Sequence, residues 1–354
     1  MARKMIFEAP EDRASYILRE MFPDNGGYLD EYRFSKLHTI ILGITSGDLE
    51  GELAIGDTEI DVLDSYGNTA LVWAARRGDV SAVKLLLEAR ADPNATASVT
   101  NHDAALLCAA RSCNTTVIKL LLKANADPAQ VGMDNNNSLH HLVASGDNKK
   151  AVECLLAAGV DINGKNAFGC TPLVYTFFSN ALISAQILLD WGADINAPGN
   201  QGDTALLEFL YYHNDDLMEL LLNRGANYNF CDSAGSSVLH PAAISGGIRT
   251  LEILLAACLK NVDPQALNPQ GKTALQLAQQ RQTKEEGFVE KFEILITDIS
   301  NRNARASEWK EMEDAAGAGG EEGVGVSFME QTGSATANQS ITGPSSVFQW
   351  REHV

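Results

Sequence analysis

A leucine returns at near-constant spacing along most of this chain, and this period constrains the fold more than any other feature. The leucine stands at Leu37, Leu71, Leu106, Leu139, Leu173, Leu206, Leu239 and Leu275. The intervals are 34, 35, 33, 34, 33, 33 and 36 residues. A period of this length is typical of repeat proteins, in which each copy is one supersecondary unit that stacks on its neighbours. We therefore predict a stacked array, although a length of 354 residues alone would suggest two ordinary domains.

Near-copies of two short motifs surround these leucines. The first motif is seen in GNTALVWAARRG from Gly67, FGCTPLVYTF from Phe168 and GKTALQLA from Gly271. The second motif follows in VKLLLEARADPN, VECLLAAGVDIN and AQILLDWGADIN. The pair resembles the ankyrin repeat, with its Gly-x-Thr-Pro-Leu-His-x-Ala-Ala helix followed by a Leu-Leu helix, over residues 64 to 297. The resemblance implies an all-α ankyrin solenoid of seven helix-turn-helix repeats with a degenerate N-terminal cap.

Each copy also has a local physical logic. A threonine such as Thr69 or Thr273 precedes the first helix, where its hydroxyl is able to accept from a free backbone N–H. Paired alanines such as Ala74–Ala75 allow first helices to approach closely. Paired leucines such as Leu85–Leu86 are expected to fill the layer between repeats, and Gly159 is expected to end a second helix in the left-handed conformation. Repeats four and five lack the alanine pair, so we expect them to pack irregularly.

The two ends differ in composition from the repeats. We predict an N-terminal capping segment at 1–33 with a helix over Pro10–Phe22, a degenerate first repeat at 34–63, repeats one to seven at 64–300, and a disordered acidic tail at 301–354. The last helix, GFVEKFEILITDI, is expected to bury Phe288, Phe292, Ile294, Leu295 and Ile299. The tail ends in an apolar cluster of Val347, Phe348 and Trp350. This cluster is either a short partner-binding motif or an exposed terminus.

Charge and cysteine content narrow the class of partner. The net charge of −19 disfavours generic binding to nucleic acid or anionic membranes. The sequence contains no run of 18 apolar residues, so no membrane span is predicted. The first residues do not predict a signal peptide. The six scattered cysteines indicate reduced thiols. We therefore expect an intracellular protein, cytoplasmic or nuclear, that is monomeric and binds an unidentified protein partner.

No residue set in the sequence predicts catalysis, a metal or a cofactor. Cys108 and Cys113 are five residues apart, and no second Cys/His pair has zinc spacing. The resemblance implies that His38, His140 and His240 hydrogen-bond to neighbouring turns. His141 faces elsewhere on its helix, so the two adjacent histidines make a poor metal site. We predict that the chain is not an enzyme.

The candidate binding residues come from the fifth and sixth positions after each repeated leucine, which the resemblance places at the edge of a concave groove. Their character changes along the chain from basic to small to aromatic or apolar. From this set we predict a partner-binding site, the groove residues, formed by Arg76, Arg77, Arg111, Phe178, Tyr211, Tyr212 and Ile244. Aromatic and arginine side chains are favoured at interface hot spots. The alternative is that the aromatic rings fill packing gaps and that the arginines are solvated charges.

These features predict a protein–protein interaction scaffold or adaptor. The alternatives are a regulatory subunit of an enzyme complex and, least supported, an enzyme. The cap segment FSKLHTIILG resembles that of ankyrin proteins of filamentous fungi. That resemblance implies a further alternative, an accessory protein of a fungal secondary-metabolite pathway.

Overall fold

The computed structural model describes residues 33–45, 47–55, 59–96, 103–281 and 285–317, with side chains to residue 312. Within these ranges the backbone is helical, and its only extended pairing is an isolated bridge between Val131 and Asn137. The predicted all-α class is therefore confirmed. The expected helix at Pro10–Phe22, the turn residue His102 and the apolar cluster at Val347–Trp350 lie outside the described residues.

Sixteen α-helices follow one another in this part of the chain as eight pairs. The pairs are α1 (Lys36–Leu42) with α2 (Leu49–Ala54), α3 (Ala70–Arg76) with α4 (Val80–Glu88), α5 (Ala105–Arg111) with α6 (Thr115–Lys123), α7 (Ser138–Ser145) with α8 (Lys149–Ala157), α9 (Pro172–Tyr175) with α10 (Leu182–Asp190), α11 (Ala205–Tyr211) with α12 (Asp215–Asn223), α13 (Leu239–Ile244) with α14 (Ile248–Ala256), and α15 (Ala274–Gln280) with α16 (Phe288–Gly317). The first pair is the segment predicted as a degenerate repeat, and seven full repeats follow it.

The helices divide into two compact units, Met1–Ala197 and Pro198–Val354. In the first unit, helices α1, α3, α5, α7 and α9 pack side by side in one layer, and α2, α4, α6, α8 and α10 pack in a second layer. The second unit repeats this arrangement with α11, α13 and α15 in one layer and α12, α14 and α16 in the other. Each helix pair therefore buries its apolar side against the next pair within its unit.

The local devices predicted from the sequence are found at some of the helix ends. Thr69 and Thr273 accept hydrogen bonds from the backbone three residues on, at 3.3 Å in both cases. Thr204 also stands at a helix N-cap but makes no capping bond with its side chain. Gly159 ends α8 with a φ of 89°, a conformation in which a β-carbon is unfavourable. Cys113 also takes a left-handed conformation, with a φ of 52°, at the position where repeat one has Gly78.

Small and branched side chains fill the layers as predicted. The alanine pairs Ala74–Ala75 and Ala109–Ala110 are completely buried between first helices. Leu86 and Leu221, one leucine from each predicted pair, are also completely buried. Their neighbours Leu85 and Leu222 are only partly buried. The second helix therefore presents one leucine of each pair to the core and the other to its edge.

The first helix of repeat four is irregular, whereas the first helix of repeat five is regular. Helix α9 stops at Tyr175 and continues as a 3₁₀ turn over Thr176–Phe178. The hydroxyl of Thr176 donates to the carbonyl oxygen of Leu173 at 2.7 Å, which satisfies an acceptor in this shortened helix. In repeat five, Phe209 and Leu210 lie fully buried in the regular helix α11. These two larger side chains are accommodated inside the core, and the irregular packing of repeat five against its neighbours stays a prediction.

The C-terminal helix departs from the sequence prediction in two ways. Helix α16 continues through Asn301, where the tail was expected to begin, and ends at Gly317. Residues 301–317 are polar but rich in Ala, Arg, Lys and Glu, which favour a helix that needs little burial. Ile294 is exposed rather than buried, whereas Phe288, Phe292, Leu295 and Ile299 are buried as expected. Ile294 lies on the face of the helix that points away from the core.

Candidate functional site

The groove residues lie at the C-terminal ends of first helices, where the next turn begins. The apolar members keep large exposed fractions: Phe178 is 38% exposed, Tyr212 41% and Ile244 48%. Arg77 and Arg111 are exposed, whereas Arg76 and Tyr211 are partly buried. Phe178 belongs to the first unit, and both tyrosines and Ile244 belong to the second. That these aromatic side chains join in a single patch therefore stays a prediction.

In four of the repeats, the sixth position after the repeated leucine also ties the repeat to the one before it. Arg77 donates to the carbonyl oxygen of Ile41 at 2.7 Å. Ser112 donates to the carbonyl oxygen of Ala75 at 3.2 Å. Ser179 and Arg281 make the corresponding bonds to Val143 and Gly246. This position therefore satisfies free carbonyl groups at the end of the preceding first helix, and the guanidinium of Arg77 is partly engaged within the protein.

Arg111 is held in an ion pair with a buried carboxylate. Its Nη2 lies 2.5 Å from Oδ2 of Asp103, whose side chain is only 6% exposed. The same nitrogen lies 3.2 Å from Nδ1 of His141 on the next first helix. Burial and the positive charge of Arg111 lower the pKa of His141, against the raising effect of Asp103, to about 4. His141 is therefore neutral near pH 7, and the charge of Arg111 is largely balanced by Asp103.

Arg76 occupies the same position one repeat earlier but has no carboxylate partner among the described residues. Its guanidinium carbon lies 4.8 Å from the ring centroid of Trp73, one helical turn away. Its Nη2 lies 3.9 Å from Sγ of Cys108 on the next first helix. Its Nε is buried and has no hydrogen-bond partner. Arg76 and Arg111 therefore share a position in the repeat but differ in how their charge is balanced.

An aromatic cluster forms the edge of repeat four in the first unit. The ring of Phe178 stacks on Phe177 with centroids 4.0 Å apart and meets Tyr175 edge-on at 5.1 Å. The hydroxyl of Tyr175 accepts from the side-chain amide of Asn166 at 2.7 Å. Burial raises the pKa of Tyr175 to about 12. Tyr175 is thus part of the core, while Phe178 rests on it and remains available to a partner.

Three carboxyl groups approach one another beside Tyr211 in the second unit. Burial raises the pKa of Glu208 to about 8, and hydrogen bonding to Asp203 and the charge of Asp232 act in the same direction. Glu208 is therefore protonated over much of the neutral range. Burial also raises the pKa of Tyr211 to about 12, and its hydroxyl is hydrogen-bonded to the side chain of Ser236. Tyr211 is consequently more structural than its neighbour Tyr212.

The second unit also contains an open depression of about 680 Å³ between α12 and α14. Its lining includes Glu219, Tyr228, Arg249 and Ile253. Arg249 lies 2.5 Å from Oδ1 of Asp216 and 3.6 Å from Oε2 of Glu219. Arg249 is thus paired with Glu219 inside the depression and with Asp216 beside it, and none of the groove residues lines the depression.

The residues predicted to be structural behave as such. His38, His140 and His240 each place Nε2 within 3.2 Å of a carbonyl oxygen in the following turn. In the described part of the chain, no group of three or more His, Cys, Asp or Glu side chains is arranged to hold a metal ion. No helix in that same part has the length and apolarity to cross a membrane.

The sequence analysis missed the position two residues after the repeated leucine. It is occupied by Trp73, Cys108, His141, Tyr175, Glu208, Pro241 and Leu277. Trp73, Cys108 and His141 lie beside the groove arginines and set their environment. The available signal was the variety of residue types at this position inside an otherwise regular motif.

Comparisons with known proteins agree with this architecture. A family model described as ankyrin repeats (3 copies) matches residues 46–132, 106–199 and 206–305. The crystal structure of the human ASB11 ankyrin repeat domain aligns with a TM-score of 0.54 and 21% identity, covering 64% of this chain and 98% of that one. The ankyrin repeat domain of Bcl-3, described as a unique member of the IkappaB protein family, aligns with a TM-score of 0.51 and 23% identity. That alignment covers 64% of this chain and 99% of the Bcl-3 domain. At these identities the likeness concerns the fold.

Proposed function

Because this chain belongs to the ankyrin-repeat family, we propose that it is a protein–protein interaction scaffold or adaptor rather than an enzyme. Ankyrin repeats generally mediate binding between proteins, and stacked repeats present extended binding surfaces. Fold alone does not identify a partner, so the proposal depends on the side chains that the repeats present.

One observation carries the proposal. At the fifth and sixth positions after the repeated leucine of repeats four to six, large apolar side chains remain substantially exposed although most of the preceding first-helix residues are buried. Phe178, Tyr212 and Ile244 are the examples, at 38%, 41% and 48% exposure. Exposed aromatic and aliphatic side chains at equivalent positions in a repeat are suited to anchor a partner, which would remove their apolar surface from water.

The thiols support an intracellular location. All six cysteines of the chain are free in the structure, and Cys108 and Cys170 are buried. Free cysteines without disulfides are typical of proteins that stay in a reducing compartment. We place the scaffold in the cytoplasm or nucleus as a monomer, and the resemblance of its cap to fungal ankyrin proteins stays a prediction.

The experiment that tests this function uses a photo-crosslinking amino acid in the full chain. The label is placed at Ile244 in one protein and at Ile294 in another, both of which are exposed isoleucines of the second unit. Each protein is incubated with lysate of the source organism, irradiated, and analysed by mass spectrometry. The scaffold proposal predicts protein adducts at Ile244 that are absent at Ile294. One recurrent enzyme would indicate the regulatory-subunit alternative, and equal labelling at both positions would contradict the groove as the binding surface.

A further inference from the structure

Building on the proposed function, we propose that Arg76 is a receptor for a carboxylate, so that the partner segment bound at repeats one and two carries an aspartate or glutamate side chain. The guanidinium of Arg76 has no counter-charge bonded to it, is held over an aromatic ring, and differs in its partners from Arg111 one repeat away.

The guanidinium of Arg76 has an unbalanced charge in a partly buried setting. Its nearest polar contact is the Sγ of Cys108 at 3.9 Å, and its Nε is covered without a hydrogen-bond partner. Burial raises the pKa of the Cys108 thiol, so this neighbour is uncharged and does not balance the arginine. Partial burial of a charge without a hydrogen-bonded counter-charge is unfavourable. A carboxylate supplied by a partner would remove that penalty.

Arg111 provides the internal comparison. It follows its repeated leucine by the same five residues, and its Nη2 lies 2.5 Å from Asp103. Repeat one offers no such carboxylate, because Asn68 stands where repeat two has Asp103, three residues before the repeated leucine. The buried Asp64 of repeat one is hydrogen-bonded elsewhere. Oδ2 of Asp64 accepts from the Trp73 indole at 2.7 Å, and Oδ1 accepts from the backbone N–H of Tyr66 and of Asn68. The same position is thus balanced internally at Arg111 and left open at Arg76.

The side chain is also fixed before any partner arrives. The hydrogen bond to Asp64 holds the indole of Trp73, and Phe34 packs edge-on against that ring at 6.4 Å. The guanidinium lies over the same ring at 4.8 Å, which is within the range of a cation–π interaction. A planar guanidinium held on an aromatic platform loses less conformational freedom when its Nη groups meet a carboxylate.

The surroundings favour a singly charged carboxylate over a phosphate. Arg77, the adjacent groove residue, donates to the carbonyl oxygen of Ile41, and Arg111 is paired with Asp103. Arg76 is therefore the one groove arginine without a bonded oxygen acceptor in the described part of the chain, and the buried carboxylates of Asp64 and Asp103 belong to the same two repeats. A phosphate carries a charge of about −1.5 to −2 at pH 7 and would be repelled by these groups more strongly than a carboxylate.

The test selects a random 12-residue peptide display library on the full chain. Selected peptides are synthesised, and their Kd values are measured by calorimetry against the wild type and Arg76→Gln. The proposal predicts that peptides competing with one another for the first unit share an acidic residue. Each should bind Arg76→Gln at least tenfold more weakly. Replacing that acid by its amide in the peptide should cause a similar loss with the wild type and little further loss with Arg76→Gln.

Matched variants separate recognition from folding. Arg90→Gln removes a guanidinium from an exposed turn of the same unit and should leave every Kd unchanged. Arg76→Lys keeps the charge but lacks the planar fork, and it should lose part of the affinity. If Arg76→Gln folds poorly, as seen by circular dichroism, the amide-substituted peptide gives the answer on the unaltered protein. A third peptide carries phosphoserine in place of the acid.

The outcomes distinguish the two proposals. A selection that yields no specific peptide from a folded chain contradicts the scaffold function, and with it the site. Peptides that bind the first unit but lack an acid, or whose Kd is unchanged by Arg76→Gln and by the amide, contradict the Arg76 site and leave the scaffold function standing. Tighter binding of the phosphoserine peptide also overturns the carboxylate assignment. Acidic peptides that depend on Arg76 in the predicted way support it.

Discussion

Nε2 of His140 lies 3.0 Å from the carbonyl oxygen of Cys170, the residue that precedes the threonine of the next repeat. A carbonyl oxygen only accepts, so Nε2 carries the proton and Nδ1 accepts from the backbone N–H of Asn137 at 3.2 Å. The ring thus links repeats three and four in its neutral form. Burial is the main reason why the pKa of His140 falls to about 4.

This link predicts a loss of stability in acid. In the unfolded chain a histidine has a pKa near 6.5, so between pH 6.5 and about 4 the unfolded state binds more protons than the folded state. The free energy of unfolding of the first unit should therefore fall as the pH drops through this window. His140 contributes up to ~3 kcal/mol of this fall, from about 1.4 kcal/mol per pKa unit.

The measurement is native-state hydrogen exchange of first-unit amides at pH 7, 5.5 and 4.5, after correction for intrinsic exchange rates. His140→Gln should lower stability at pH 7 and show a weaker dependence on pH than the wild type. His213→Gln, which replaces an exposed histidine, serves as the control and should keep the wild-type dependence. A dependence that is unchanged in His140→Gln would show that His140 is not the titrating group.

The raised pKa of Glu208 predicts that the second unit loses stability as the pH rises, which is the opposite of the dependence expected from His140. Its pKa is raised to about 8 in the folded state, from 4.5, chiefly by burial. The stability associated with its protonated form is present below pH 4.5 and is lost as the pH rises through 8. Glu208→Gln should therefore raise the Tm of the second unit at pH 8.5 and change it little at pH 4.5. Asp190→Asn, at an exposed edge of α10 in the first unit, provides a control for removing one carboxylate. A lower Tm for Glu208→Gln at pH 8.5 would contradict the assignment.

The burial of Leu155 between neighbouring repeats predicts how strongly these repeats stabilise one another. Its side chain is completely buried in α8, which packs against α6 and α10. Leu155→Ala should lower the free energy of unfolding by ~2–5 kcal/mol, the range for a buried leucine, and should weaken protection in the flanking helices. Lys150→Ala, on the exposed side of the same helix, should change it by less than about 0.5 kcal/mol. The stability of both variants is measured by urea denaturation. Equal midpoints for Leu155→Ala and Lys150→Ala would show that Leu155 does not lie in the inter-repeat core.

The hydrogen bonds of the C-terminal helix predict which truncation of the chain lowers its Tm. The side chain of Asn303 donates to the carbonyl oxygen of Val262 at 2.9 Å and accepts from the backbone N–H of Asn261 at 2.8 Å. A chain ending after Gly317 should keep the Tm of the full protein, whereas a chain ending after Asn301 should lose several degrees because both bonds disappear. Differential scanning calorimetry of the two truncations tests this. Equal Tm values for both would mean that these bonds contribute nothing measurable.

The repeated motif was sufficient to predict the helix pairs, the buried alanines and the structural histidines, because each depends on residues inside one repeat or its neighbour. The charge balance of the groove was not predictable in the same way. Arg76 and Arg111 look equivalent in sequence, but Arg76 lies over the ring of Trp73 whereas Arg111 is paired with a loop carboxylate at Asp103. The extent of α16 was missed because polarity argued for disorder, although the same residues favour an exposed helix.

Partner binding through the groove residues is the central claim, and the affinity of one captured partner tests it most directly. Its Kd is measured by calorimetry for the wild type, Phe178→Ala, Tyr212→Ala and a control double variant, Ile183→Ala with Ile294→Ala. The control removes exposed apolar side chains from second helices. Truncation of an aromatic anchor is worth about 2 kcal/mol, so at least one of the two aromatic variants should bind roughly thirtyfold more weakly. The control should stay within about twofold of the wild type, as expected for sites away from an interface. Unchanged Kd values in both aromatic variants, with a loss in the control, would place the binding surface on the second helices and contradict the account.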